Sequence, residues 1–127
     1  MTGYTTNIEE KTLQNENFRE VLHTEQHCQL VVMSLLPNEE IGMEVHEIVD
    51  QFIRVEQGEA KAILNGEEHV LSDGYAIVVP AGTEHNIINT SSENKLKLYT
   101  IYSPAHHKDK TLHKTKQDAL NDTQDHI

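Results

Sequence analysis

Gly74-Tyr75-Ala76-Ile77-Val78-Val79-Pro80-Ala81-Gly82-Thr83-Glu84-His85-Asn86-Ile87-Ile88-Asn89 sets glycine, proline, histidine and asparagine at fixed offsets around two apolar runs. Ile77-Val78-Val79 suits a pleated strand, where β-branched side chains pack well. Gly74 turns the chain into that strand, and Pro80 and Gly82 make the tight turn that ends it. His85 opens the returning strand, from which its side chain can point into the mouth of a barrel. Asn89 closes the next turn.

Working outward, short apolar runs alternate with turn signals about every ten residues. Leu30 to Leu36 is one run, stopped by Pro37-Asn38. Ile53-Arg54-Val55-Glu56 alternates and stops at Gln57-Gly58. Lys61 to Leu64 meets Asn65-Gly66, a hairpin signal because both turn positions need positive φ. Glu68 to Leu71, Tyr75 to Val79, Asn86 to Asn89 and Leu96 to Tyr102 follow. At least seven strands of this kind argue for an all-β antiparallel sandwich or barrel. Strands around Phe18 to Leu22 and Leu30 to Leu36 add to the sheets. In the run from Leu96, alternation turns Leu96, Leu98, Thr100 and Tyr102 inward and Tyr99 and Ile101 outward. Residues 1–17 read as a flexible arm or an edge strand. Residues 104–127 read as a polar C-terminal tail or short helix, leaving a core of about 28–103.

The whole chain has 127 residues, enough for one domain. Asp and Glu number 21 against 10 Lys and Arg, a net charge of −11 with histidine neutral. Phosphate backbones and anionic lipid repel such a surface, which argues against nucleic acid and membrane partners. No apolar run approaches the roughly 20 residues of a membrane span. The first residues lack the cationic start and apolar stretch of a signal peptide. Cys28 is the single cysteine and has no partner for an internal disulfide. A cytoplasmic location is the expectation. Cys28 precedes an apolar strand and reads as a small buried packing residue.

The stretch from Gly74 to Asn89 resembles the second motif of the cupin superfamily without departure. The segment from Asn38 to Gly58 resembles the first motif: Gly, five residues, His-x-His, three or four, Glu, six, Gly. His46 and Gly58 stand at their places. Asn38 replaces the opening Gly, Glu44 the first His and Gln51 the Glu. The 15 residues between Gly58 and Gly74 are the short gap common in bacterial single-domain cupins. The resemblance covers roughly residues 30 to 103. It implies a cupin jelly-roll β-barrel with one metal site, a small-molecule ligand and a homodimer.

The residues make their own case for that site. Glu44 and His46 are two apart and share a face on a strand. Gln51, Ile53 and Val55 share a face on the next, with Gln51 as the polar end of an apolar stripe. His85 arrives from the second motif. Glu44, His46, Gln51 and His85 thus form a candidate set for one divalent transition metal such as Mn, Fe, Ni or Zn. The ordinary cupin set is three His and one Glu, so this chain keeps one carboxylate and loses one imidazole. Gln51 either ligates directly or orients a bound water. Glu47 and Asp50 read as loop carboxylates, Asp50 as a fallback ligand. His23, His27 and His69 read as surface residues.

Four of the ten cationic residues (Lys108, Lys110, Lys114, Lys116) and three His (His106, His107, His113) gather in the tail. This patch is either a solvated tail or a cover for the mouth that attracts an anionic molecule. No serine, cysteine or phosphate-loop motif competes. The expected function is a metal-dependent enzyme (isomerase, oxygenase or lyase) acting on a small polar, anionic or sugar-like molecule. The alternative is a non-catalytic sensor or storage module.

Overall fold

A computed structural model describes residues 2–125. In chain order its elements are α1 (Ile8–Gln14), β1 (Arg19–Thr24), β2 (Gln29–Leu35), β3 (Glu44–Val45), β4 (Asp50–Gln57) and β5 (Ala60–Leu64). Then come β6 (Glu67–Leu71), β7 (Ala76–Val79), β8 (Glu84–Asn89), β9 (Leu96–Ser103), β10 (Leu112–His113) and α2 (Lys116–Asn121). The strands form a six-stranded sheet in the order β10-β1-β2-β9-β4-β7 and a four-stranded sheet in the order β3-β8-β5-β6. Every pairing in both is antiparallel. This is the all-β jelly roll that the strand spacing and the motifs predict.

The alternation in β9 works as read. Leu96, Leu98 and Thr100 are fully buried, Tyr102 is nearly so, and Tyr99 and Ile101 are half-buried on the other face. Between the sheets Val31, Met33, Leu35, Ile53, Val55, Ala62, Ile87 and Leu98 form the core. Each fully buried Val, Leu or Ile contributes about 1.5–3 kcal/mol. Asn65 and Gly66 both have positive φ and close a two-residue hairpin that pairs Leu64 with Glu67. Asn65 also joins the next strand: its N–H donates to the Glu84 carbonyl at 2.7 Å, and its Oδ1 accepts from the Glu84 N–H at 3.0 Å. At Gly58, φ is 110°, and a Cβ would lie 3.0 Å from the Lys95 carbonyl oxygen. Asn89, fully buried, donates from Nδ2 to the Leu36 and Asn94 carbonyls at 3.0 and 2.9 Å and so closes the far end of the barrel.

Two expectations change. Among residues 2–17 a helix replaces the expected edge strand: Asn7 caps α1, its Oδ1 accepting from the Glu10 N–H at 3.0 Å. The helix packs on β2, β4 and β9. Buried Lys97 fastens the residues that follow α1, donating to the Asn15 carbonyl and to Glu16 Oε1. Cys28 is exposed rather than buried, because β2 begins one residue later and Cys28 lies in the turn closed by the Glu25 N–H to Cys28 carbonyl bond. The C-terminal stretch carries the short helix expected as one of its two readings, α2, and buries His107 and His113.

Candidate metal centre

Glu44 and His85 face each other across the β3–β8 pairing. The chain then leaves β3, and His46 is fixed by the turn of the second motif: the Gly82 N–H donates to the His46 carbonyl at 2.8 Å. Asp50 Oδ1 accepts from the Ala81 N–H at 2.8 Å and pins the same turn. Glu47 is exposed. The two motifs, far apart in sequence, are thus tied where His46 and His85 meet.

The two rings lie 5.0 Å apart, edge to face. His46 is 7% and His85 3% exposed, so both are withdrawn from bulk water. A Glu44 carboxylate oxygen is 4.0 Å from His46 Nε2. His85 Nδ1 donates to the Thr83 carbonyl at 2.9 Å. A carbonyl only accepts, so the His85 proton sits on Nδ1 and Nε2 keeps its lone pair. That is the usual support for a ligating imidazole.

Gln51 lies on β4 of the six-stranded sheet. It lies in register with Tyr102, and its Nε2 donates to Thr100 Oγ1 at 3.0 Å. Its Oε1 is buried and accepts no hydrogen bond among the described residues. Buried amide oxygens are rarely left so, which makes Gln51 Oε1 a candidate contact for a ligand or cation. Burial pushes the Tyr102 phenol above its ordinary pKa, with the Glu44 and Asp125 carboxylates adding to the rise. Tyr102 therefore remains a neutral hydroxyl. Its ring lies 6.0 Å from that of His46.

Sequence reasoning missed His106. Just after β9, its ring lies 4.1 Å from that of His46 and 5.4 Å from that of Tyr102. Donor atoms of Glu44, His46 and His106 all fall within 4.8 Å of one another. The only signal for it was three histidines in the one basic stretch of an acidic chain. A cavity of about 360 Å³, bordered by Val45, His46, Ile48, Ala105 and His106, opens beside these rings. A second group, His113, Asp122 and Asp125, also brings donor atoms within 4.8 Å. There the ring is engaged on both sides: His113 Nε2 donates to Asp122 at 2.9 Å, and Arg19 lies 3.3 Å from Nδ1. The remaining surface histidines match expectation: His27 is exposed, and half-exposed His23 and His69 pair with Glu25 and Glu67.

Glu44, His46 and His106 bring one oxygen and two nitrogen donors within 4.8 Å of one another, a group suited to a first-row divalent cation. They stand at the mouth of a jelly roll whose second sequence motif is intact. The sequence profile of the cupin domain matches residues 31–102, and the chain belongs to the cupin family. It is 48% identical over 124 residues to the protein YrkC of Bacillus subtilis, covering 92% of this chain and 66% of that one. It is 51% identical over 107 residues to protein L612 of Acanthamoeba polyphaga mimivirus, covering 82% of this chain and 67% of that one. The chain thus spans about two thirds of the length of both relatives. Among solved structures, BH2720 from Bacillus halodurans is 40% identical with a TM-score of 0.91 over 94% of each chain. KdgF from a Halomonas species is 26% identical, with a TM-score of 0.64, over 72% of this chain and 79% of that one.

Proposed function

We propose that this cupin binds one divalent transition metal (Mn, Fe, Ni or Zn) at the barrel mouth through His46, His85 and Glu44, with Gln51 as a ligand or water-orienting group. The observation that carries this reading is the approach of Glu44 on β3, His46 just after it and His85 on β8, with His85 Nδ1 tied to the Thr83 carbonyl. The bound ion would supply Lewis acidity toward a carbonyl or hydroxyl oxygen. The protein's own groups do the rest. The walls hold water away from His46 and His85, Tyr102 offers a neutral phenol, and the cavity beside His46 admits a small polar molecule. Exposed Lys108 and Lys110 lie on the arm that carries His106 and favour an anionic one. The reading is a cytoplasmic metal-dependent enzyme of isomerase, oxygenase or lyase type. The near-complete burial of both imidazoles favours a second reading, a sensor or storage module.

Elemental analysis of protein purified without chelator tests the metal. One equivalent of a transition metal is expected in the wild type, and His85→Ala is expected to lose it. Equal metal content in both proteins would overturn the assignment.

The outer face of the six-stranded sheet carries an apolar row one residue wide. Val78, Phe52, Ile101 and Leu30 stand side by side on β7, β4, β9 and β2. Val78 is 61% exposed and the others are half-buried. We propose that a second copy of the chain covers this row, as a homodimer.

A further inference from the structure

We propose that His106, carried on the C-terminal arm, is a metal-binding residue that replaces the imidazole missing from the first motif, so that ion binding and arm docking are one equilibrium. This rests on the metal reading above. Three independent fastenings put the His106 ring against His46.

The first is Gln29, fully buried at the start of β2. Its Oε1 accepts from the His106 and His107 N–H groups at 3.1 and 2.9 Å, and its Nε2 donates to the His107 carbonyl at 2.8 Å. One amide thus fixes the backbone of both histidines. The second is Asp125. Its carboxylate accepts from His107 Nδ1 at 2.7 Å, from the Lys108 N–H at 2.8 Å and from Thr111 Oγ1 at 3.0 Å. The third is Tyr102, whose hydroxyl lies 3.2 Å from His107 Nε2. Neighbouring His107 is therefore committed to holding the arm, and His106 is the ring presented to Glu44 and His46.

The chemistry of the three donors fits. Glu44 stands where the family motif has an imidazole, so the first motif offers one nitrogen and one oxygen. His106 adds a second nitrogen inside the same 4.8 Å group, and the His85 ring lies 5.0 Å from that of His46. Three imidazoles and one carboxylate recover the nitrogen and oxygen count of the ordinary set from different points in the chain. A ligand on the arm also means that a bound ion holds the arm down, and that release requires the arm to lift.

The test uses the full chain, stripped with chelator and titrated with Co²⁺, followed by its visible absorption. Amide hydrogen exchange over residues 104–113 reports arm docking. His106→Phe keeps an aromatic ring for packing and removes the donor nitrogen; His106→Ala removes both. Both variants are expected to weaken Co²⁺ binding roughly tenfold to a hundredfold and to alter the visible band. Co²⁺ is expected to slow arm exchange in the wild type and to leave it unchanged in His106→Phe. If His46→Ala abolishes binding while His106→Phe keeps wild-type affinity, band and arm protection, the assignment of His106 is overturned and the metal reading stands. If the wild type takes up no Co²⁺, or His46→Ala and His85→Ala bind as it does, the metal reading fails and His106 fails with it.

Discussion

Gln51 separates this chain from the motif it resembles. Its offset from Gly58 is the motif's glutamate position, and its Oε1 is buried without a hydrogen-bond partner among the described residues. A glutamate there would add a second negative charge beside Glu44 and bring a site holding a divalent ion to neutrality. With the amide, the filled site keeps one positive charge and attracts anions more strongly. Gln51→Glu is therefore expected to raise ion affinity and weaken anion binding. Gln51→Ala is expected to lower ion affinity by about tenfold or more. Isothermal titration with Mn²⁺, then with oxalate, checks both; wild-type behaviour in both variants would make Gln51 a bystander. Glu44, His46 and His85 were legible as candidates from the motif offsets, but the place of His46, just past the two-residue β3, is set by the Gly82 N–H and not by strand alternation. His106 was not, because its place depends on Gln29 and Asp125, and no local spacing encodes contacts so distant in sequence.

Elements built on alternation were readable, and elements that close over the barrel were not. β9 and the Asn65-Gly66 hairpin follow from side-chain period and turn stereochemistry. α1 has too few apolar positions to announce itself. Its place is set by Asn7 at its start and by contacts with β2, β4 and β9. The arm after β9 is polar and lysine-rich, which mimics a solvated tail, yet it buries a histidine against a carboxylate. Burial pushes the Asp125 carboxyl up, but the His107 ring and the Lys108 N–H and Thr111 hydroxyl donors hold it well below the ordinary range. A carboxyl lowered in the folded state contributes stability that is full above its unfolded pKa of about 3.9 and is lost as pH falls below that value. Asp125→Asn keeps the shape and removes the charge. It is expected to cost about 3 kcal/mol at pH 7. The difference from wild type is expected to close as pH falls below about 4, measured by urea unfolding of chelator-stripped protein. A constant difference across that interval would reject the ion pair as its source.

At the scale of the whole molecule, the two sheets enclose one apolar core and bring residues 44, 46 and 85 to the same end of it. Among the described residues, no helix is long and apolar enough to cross a membrane. The jelly roll was readable as a whole because strand count, turn spacing and motif agree. The cover over the outer sheet was not. Val32 takes the outward register with Tyr99 and Glu20, yet it is 1% exposed. α1 packs against that strand, whereas the row through Val78 and Ile101 is left at the surface. A charge in the middle of that row is expected to split a pair of chains. Ile101→Glu should halve the mass measured by light scattering while leaving the circular dichroism spectrum unchanged. A monomeric wild type would overturn the homodimer, and a dimer that survives the substitution would place the interface elsewhere.

The hairpin at Asn65 also gives this protein a clock. An asparagine followed by glycine ages: the glycine nitrogen attacks the side-chain amide, ammonia leaves, and the ring that forms reopens mostly as isoaspartate, with one extra carbon in the main chain. Here the Asn65 side-chain Oδ1 accepts from the Glu84 N–H at 3.0 Å, which keeps the amide turned toward β8 while the fold is intact. Ageing at Asn65 is therefore expected to be slower in the native protein than in its urea-unfolded form, as mass spectrometry of stored samples would show. Once it happens, the inserted carbon shifts the two bonds that seat Glu84, the residue before His85. Old protein would then lose the proposed ion site before it loses its fold.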